Sequence, residues 1–211
     1  MDASRIAELL QPFTTALSPD QLAAISSYVD LLVRWNAHMN LTAVREPEEI
    51  VTRHFGESLF VAAQLLPSDA RLHAVDIGSG SGFPGFPLKI HAPGLHLTLI
   101  ESQQKKATFL KEVVRTLRLD KVDVFAGRAQ DFPSRADLIT LRAVERFENV
   151  LPVAASLLQY SSEPPSRLAL LIGDTQVAVA RSLLSVMQWQ PPIPIPQSTA
   201  CVLLVGSKRL S

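Results

Sequence analysis

A single cysteine, Cys201, stands in the whole 211-residue chain, which excludes a disulfide framework and any multi-cysteine zinc site and suits a reducing cytosol. It lies in the apolar run Cys201-Val202-Leu203-Leu204-Val205, where a buried, inert thiol is expected rather than a nucleophile. No stretch reaches the ~18 apolar residues of a membrane span. Asp2 and Glu8 stand where a secretory leader would carry basic residues, so no leader is expected. The five histidines are scattered without ligand-like spacing, so no metal site is expected. Net charge is missing too, with 20 Lys/Arg against 20 Asp/Glu, which by itself argues against a nucleic-acid partner. The distribution is uneven, however. Residues 1–70 hold four basic against nine acidic side chains, and residues 71–211 hold sixteen against eleven. An acidic substrate would be steered to the second part, unless both faces are simply solvated.

What is present suits one globular domain with an extension, since 47% of the residues are hydrophobic. Residues 1–70 read as an all-helical N-terminal extension, because no strand alternation appears before residue 72. Ser18-Pro19-Asp20 is a helix start with Ser18 as N-cap. Leu22, Ile25, Val29 and Leu32 form one stripe running toward Trp35. A second helix opens at Glu46-Pro47-Glu48-Glu49 and carries Ile50, Phe55, Leu59 and Ala62 inward. Residues 71–211 read as an α/β domain. Strands are expected at 72–77, 95–100, 122–126, 138–141, 167–172 and 200–205, with helices near Leu88 and at 105–117, 150–158 and 177–187. The proline-rich stretch 191–196 reads as an extended connection, because proline lacks the ladder donor. Such alternation means a mostly parallel, Rossmann-like sheet with helices on both faces.

Residues 75–85 read Val-Asp-Ile-Gly-Ser-Gly-Ser-Gly-Phe-Pro-Gly, and Glu101 closes the next strand 25 residues after Asp76. Gly78, Gly80 and Gly82 let the chain leave a strand in a tight turn with no Cβ between backbone and ligand. Glu101, at the tip of the following strand, can take a ribose diol. A dinucleotide site needs G-x-G-x-x-G, whereas here Phe83-Pro84 stands at the place of the third glycine. Asp76 would repel a pyrophosphate and suits a ligand carrying an ammonium and a sulfonium. The pattern therefore favours S-adenosylmethionine over NAD.

Several stretches resemble one family, the bacterial 16S ribosomal RNA (guanine-N7) methyltransferases called RsmG or GidB. They are Trp35–Val44, Arg53-His54 with Ser58, Val75–Gly85, Glu101-Ser102 with Lys105-Lys106 and Phe109-Leu110, Arg128, and Arg142-Ala143-Val144. The resemblance implies a Rossmann-like methyltransferase with S-adenosylmethionine as donor, and 16S ribosomal RNA or the small subunit as partner. A cytoplasmic monomer without metal is expected. Gly78 and Phe83 would line the donor, Ala129-Gln130 would hold the adenine, and Arg142 would sit where donor and target base meet. An ordinary surface salt bridge is the other reading of Arg142. Guanine N7 carries a free lone pair, so no general base is required, and rate would come from positioning. The rivals are a methyltransferase of the same fold acting on another RNA or a small molecule, and a non-catalytic S-adenosylmethionine-binding protein.

RNA contacts are expected from Arg53, His54, Lys105, Lys106 and Arg128, although a solvated face suits most of these cations equally. Asn36 and Asn40 either orient the extension over the site or anchor the helices. Three departures from the family pattern stand out. Glu57 replaces the usual Asp before Ser58. Ile172-Gly173 replaces Lys-Gly after the fifth strand, and Gln197-Ser198-Thr199 replaces a basic pair. Losing those cations is expected to weaken RNA affinity more than donor binding.

Overall fold

The computed structural model describes residues 1–14, 17–144, 146–159, 165–199 and 201–208. Helix α1 (Ala3–Leu10) buries Ile6 and Leu10. Helix α2 (Pro19–Met39) begins at the expected cap. The Ser18 hydroxyl accepts from the Gln21 N–H at 3.2 Å, and the Gln21 side chain accepts from the Ser18 N–H at 2.8 Å. Of its expected stripe Ile25, Val29 and Leu32 are buried and Leu22 half-buried, and Tyr28 joins them as a fully buried side chain. The helix stops at Asn40, whose φ of 48° lies in the left-handed region.

The second expected helix is three segments in series: α3 (Pro47–Glu49), a π-helical stretch over Ile50–Gly56, and α4 (Glu57–Leu65). The π turn explains its apolar spacing. Ile50 and Phe55 are five apart, an interval an α-helix does not bring to one face, yet both are buried with Leu59 and Ala62.

Five parallel strands follow: β1 (His73–Ile77), β2 (His96–Ile100), β3 (Val122–Phe125), β4 (Leu138–Arg142) and β5 (Arg167–Gly173), in the order β3-β2-β1-β4-β5. Helices α5 (Gly85–His91), α6 (Gln104–Thr116), α7 (Phe147–Ser156) and α8 (Asp174–Leu183) connect or flank them. The sheet continues antiparallel through β8 (Cys201–Lys208), on which β6 (Met187–Trp189) and β7 (Ile193–Pro194) both pair. Ala200, the expected start of the last strand, lies outside the described residues.

Two expectations are corrected. The helix read over 177–187 ends at Leu183, and Met187 belongs to β6 instead. Its apolar spacing fits a helix, but pairing against the free edge of β8 wins over local pattern. The 191–196 stretch is not wholly a connection, since Ile193 and Pro194 pair with Leu203 and Val202. Proline is tolerated there because β7 lies off the main strand path.

Alternation along the strands makes two cores. Ala74, Leu97, Leu99, Leu171 and Leu203 face α2, the π segment, α4, α5 and α6 in one cluster, which also takes in α1. Val75, Ile77, Ile139, Leu141, Leu170 and Leu204 face α7 and α8 in the other. Among the described residues no helix is long and apolar enough to cross a membrane.

Candidate active site

Strand order reverses between β1 and β4, and a crevice opens outside the carboxyl ends of strands at such a switch point. There lies a cleft of about 720 Å³. Its floor is the glycine turn. The N–H groups of Gly78 and Ser79 donate to the Ile100 carbonyl at 2.9 and 3.1 Å, tying the end of β1 to the end of β2. Gly78, Gly80 and Gly82 take φ values of 68°, 57° and 89°, as a side-chain-free turn requires. A Cβ on Gly78 would stand 3.0 Å from the Val144 side chain, and one on Gly82 would overlap the Phe86 ring and the Tyr28 hydroxyl.

Glu101 follows β2 and is 5% exposed on the cleft wall. Its two carboxylate oxygens accept from the Gly80 N–H at 3.0 Å and the Gln103 N–H at 2.8 Å. Each oxygen keeps a second lone pair, so the group is aimed by the backbone yet still able to accept. Ala129 and Gln130 sit on a 3-10 turn after β3 and also line the cleft, with Arg128 beside them.

Asp76 is 1% exposed and lies beneath the turn, not on the cleft wall. The Thr140 hydroxyl donates to its Oδ1 at 2.7 Å, while Oδ2 has no hydrogen-bond partner. Burial pushes the carboxyl up to about 6, against the pull of the Thr140 hydroxyl. Gly82 is likewise behind the wall, whereas Gly78, Gly80 and Phe83 are on it.

The opposite wall comes from the helical region. The Tyr28 hydroxyl donates to the Ser81 carbonyl in a short hydrogen bond, fastening α2 to the glycine turn. The Tyr28 ring stacks on Phe83 at 5.4 Å, and Phe83 stacks on His54 at 4.9 Å. Asn36, 3% exposed, accepts from the Thr42 N–H at 2.9 Å and donates to the Val44 carbonyl at 3.2 Å. That clamp sets Leu41 and Thr42 on the cleft. Thr42 Oγ1 lies 2.8 Å from His54 Nε2. Burial, with Arg142 and Arg53 nearby, depresses His54 to about 3, so its imidazole is neutral at pH 7. Trp35 packs on Phe109 at 5.5 Å, as an anchor does, whereas Asn40 is exposed, ends α2 in the left-handed region and accepts from Arg45 at 3.2 Å.

Arg142 ends β4 and lines the cleft between the two walls. It is paired with Glu57 at 2.7 Å, the two side chains being 15% and 12% exposed, so this is not a surface salt bridge. Burial lowers the guanidinium pKa and Glu57 opposes that shift.

The four cations and one histidine expected to meet RNA are not gathered on one face. His54, Lys106 and Arg128 line the cleft, whereas Lys105 points to solvent and the Arg53 side chain pairs with Glu49 at 2.8 Å. Ile172 is 4% exposed in the core facing α7 and α8 and is not on the cleft wall. Cys201, expected to be buried, is half-buried, and burial pushes its thiol up. Tyr28, Leu41, Thr42, Val144 and Arg146 escaped sequence reasoning. Tyr28 left a signal as a polar-tipped aromatic on the buried stripe of α2, and Leu41, Thr42 and Val144 left one by standing in the stretches that carry the family resemblance. Among the described residues no group of three or more His, Cys, Asp or Glu could hold a metal ion.

A family model described as GidB, rRNA small subunit methyltransferase G, matches residues 21–163. A relative from Desulfitobacterium hafniense (strain Y51), named Ribosomal RNA small subunit methyltransferase G, is 41% identical over 155 residues, covering 71% of this chain and 63% of its own. One of the same name from Stenotrophomonas maltophilia (strain K279a) is 44% identical over 146 residues, covering 68% and 65%. This chain thus spans less than two thirds of the length of these curated relatives. The fold is similar to that of a ribosomal protein L11 methylase from Lactobacillus delbrueckii subsp. bulgaricus, with a TM-score of 0.60 at 15% identity over 74% of this chain and 79% of that one. TrmN from Thermus thermophilus is similar at a TM-score of 0.59 and 17% identity, over 75% and 53%.

Proposed function

Because the chain belongs to the GidB family, rRNA small subunit methyltransferase G, we propose that it transfers a methyl group from S-adenosylmethionine to N7 of a guanine in 16S ribosomal RNA of the small subunit. The observation that carries this reading is one cleft joining the glycine turn and Glu101 to Arg142 and the helical wall of Thr42 and His54. When bound, S-adenosylmethionine supplies an electrophilic methyl on a sulfonium.

The residues fit that donor. Glu101 has free lone pairs for a ribose diol, and Gly78 leaves the turn open where a Cβ would crowd Val144. Ala129 and Gln130 offer backbone groups to the adenine. Asp76, with its orphaned Oδ2 beneath the turn, gives the floor a negative potential suited to a cation and hostile to a pyrophosphate. Phe83, fixed between Tyr28 and His54, would line the bound donor.

Residues 1–70 act as the cover that completes the acceptor end, on the Rossmann-like domain of residues 71–211. His54, whose pKa burial depresses to about 3, and an already protonated guanidinium are poor proton acceptors, and a guanine N7 asks for none. These side chains orient a flipped or single-stranded base against the methyl. Lys106 and Arg128 on the rim neutralise flanking phosphates, giving affinity that falls with salt. With 16S RNA as substrate the chain acts in the cytoplasm, as a monomer.

The test is incubation of labelled S-adenosylmethionine with small subunits lacking the modification. Label recovered in 16S RNA as 7-methylguanine supports the proposal. Donor binding with no label in any RNA would sink it.

A further inference from the structure

A guanidinium carries five N–H donors, and three of those on Arg142 are held by one short stretch of the helical wall. Nη2 donates to the Glu57 carboxylate at 2.7 Å and to the Arg53 carbonyl at 2.8 Å, and Nη1 donates to the Ser58 hydroxyl at 3.3 Å. All three acceptors lie where the π segment passes into α4. Among the described residues the Glu57 carboxylate has no other hydrogen-bond partner, so it is committed to Arg142. Both ends of the pair are rigid. Arg142 is the last residue of β4 in register with Leu171 of β5, and residues 55, 58, 59 and 62 are buried on the helical side. Two N–H donors of Arg142 are left over, on a side chain that lines the cleft between the glycine turn and Thr42.

Resting on the methyl-transfer reading above, we propose that Glu57 is a positioning residue: with the Arg53 carbonyl it fixes the Arg142 guanidinium so that one of its remaining N–H donors is presented to an oxygen of the bound nucleotide. A salt bridge made only to fasten the sheet to the helices would have no need to stand on the cleft, and the cores already join those layers with apolar contacts. The carboxylate also compensates a charge that burial disfavours, which keeps the guanidinium charged at the strand tip.

The test is a double-variant cycle in the full chain, using Glu57→Gln, Glu57→Ala, Arg142→Ala and the double alanine variant. Each is followed by thermal melting, by the kcat and KM of methyl transfer to small subunits, and by the NMR signal of the Arg142 Nε–H. Glu57→Gln should lower kcat about tenfold to a hundredfold with the donor KM little changed, because a displacement of about 1 Å suffices for such a loss. Glu57→Ala should slow Arg142→Ala by less than about twofold, since both act through one group. The Arg142 Nε–H should be ordered in the native chain and mobile in Glu57→Gln. Should Glu57→Ala fail to fold, Glu57→Gln decides alone through its kcat and the NMR signal. The assignment is overturned if Glu57→Gln lowers the melting temperature but leaves kcat within twofold. It is equally overturned if Glu57→Ala is fully additive with Arg142→Ala. If the native chain labels no RNA, the proposed function fails instead, and the Nε–H signal still settles Glu57: ordered in both chains overturns it, lost in the variant supports it.

Discussion

Along one wall of the cleft a ligand meets mainly main chain, and along the other it meets side chains carried in from distant parts of the sequence. The sheet wall is made of residues 77–81 and 83, 100–103 and 127–130, each a short stretch at or just after the end of a parallel strand. Its geometry comes from left-handed glycines and from backbone N–H groups that aim Glu101. The helical wall depends on a relay instead. Asn36 sets Thr42, Thr42 meets His54, and Glu57 and Arg53 hold Arg142 from 85 and 89 residues away. A site of this kind takes its donor on a surface fixed by sheet topology and shapes its acceptor end with side chains that can vary. Tyr28 is the strut between the two, because its ring packs with the helical wall and its hydroxyl holds the Ser81 carbonyl of the turn.

The contrast can be broken most forcefully at Gly82. Gly82→Ala puts a Cβ at a φ of 89° into Phe86 and Tyr28, and should cost about 2–5 kcal/mol in urea unfolding. A loss under about 1 kcal/mol would mean that the turn is not conformationally locked. Asp76 tests the same wall from below. Its folded-state value of about 6 lies above the ordinary 3.8. The stability this carboxyl contributes is therefore complete below about pH 3.8 and lost as pH rises through about 6. Asp76→Asn should gain on the native chain by on the order of 2–3 kcal/mol between pH 4 and pH 7.5. Parallel stability curves for the two proteins would show that the carboxyl is not buried as described.

Glu101→Ala should raise the Kd for S-adenosylmethionine roughly tenfold to 150-fold, since the charge-assisted hydrogen bonds it offers are worth about 1.5–3 kcal/mol. Unchanged affinity by calorimetry would reduce Glu101 to a brace for Gly80 and Gln103. The smallest effect is expected at the strut. Tyr28→Phe leaves the Ser81 carbonyl without its partner and should lower stability by about 1–2 kcal/mol. If it weakened donor binding more than Glu101→Ala, the sheet wall would prove less self-sufficient than its backbone geometry implies.

How much of this was legible follows the same division. The glycine turn and Glu101 could be read because each is local and falls after a strand with clear apolar texture. Period-two alternation also held the answer for Asp76. It shares parity with Ala74, which faces α5, so its side chain points under the turn toward Thr140 and not at the cleft. The π segment was present as a five-residue gap between Ile50 and Phe55 that an α-helical stripe does not allow. Thr42 and Glu57 were opaque for a different reason. Their roles are set by hydrogen bonds to His54 and Arg142, and nothing in the local pattern of a single chain marks such pairs. The strand at Met187 was hidden because Leu184 and Met187 have helical spacing, while the edge of β8 that claims Met187 lies about 20 residues further on.

The division of the cleft into a main-chain donor wall and a side-chain acceptor wall is tested most directly by amide hydrogen exchange with and without S-adenosylmethionine. Slowed exchange concentrated at residues 78–82, 101–103 and 128–130 is the predicted result. Protection as strong over residues 40–58, or confined to them, would contradict it.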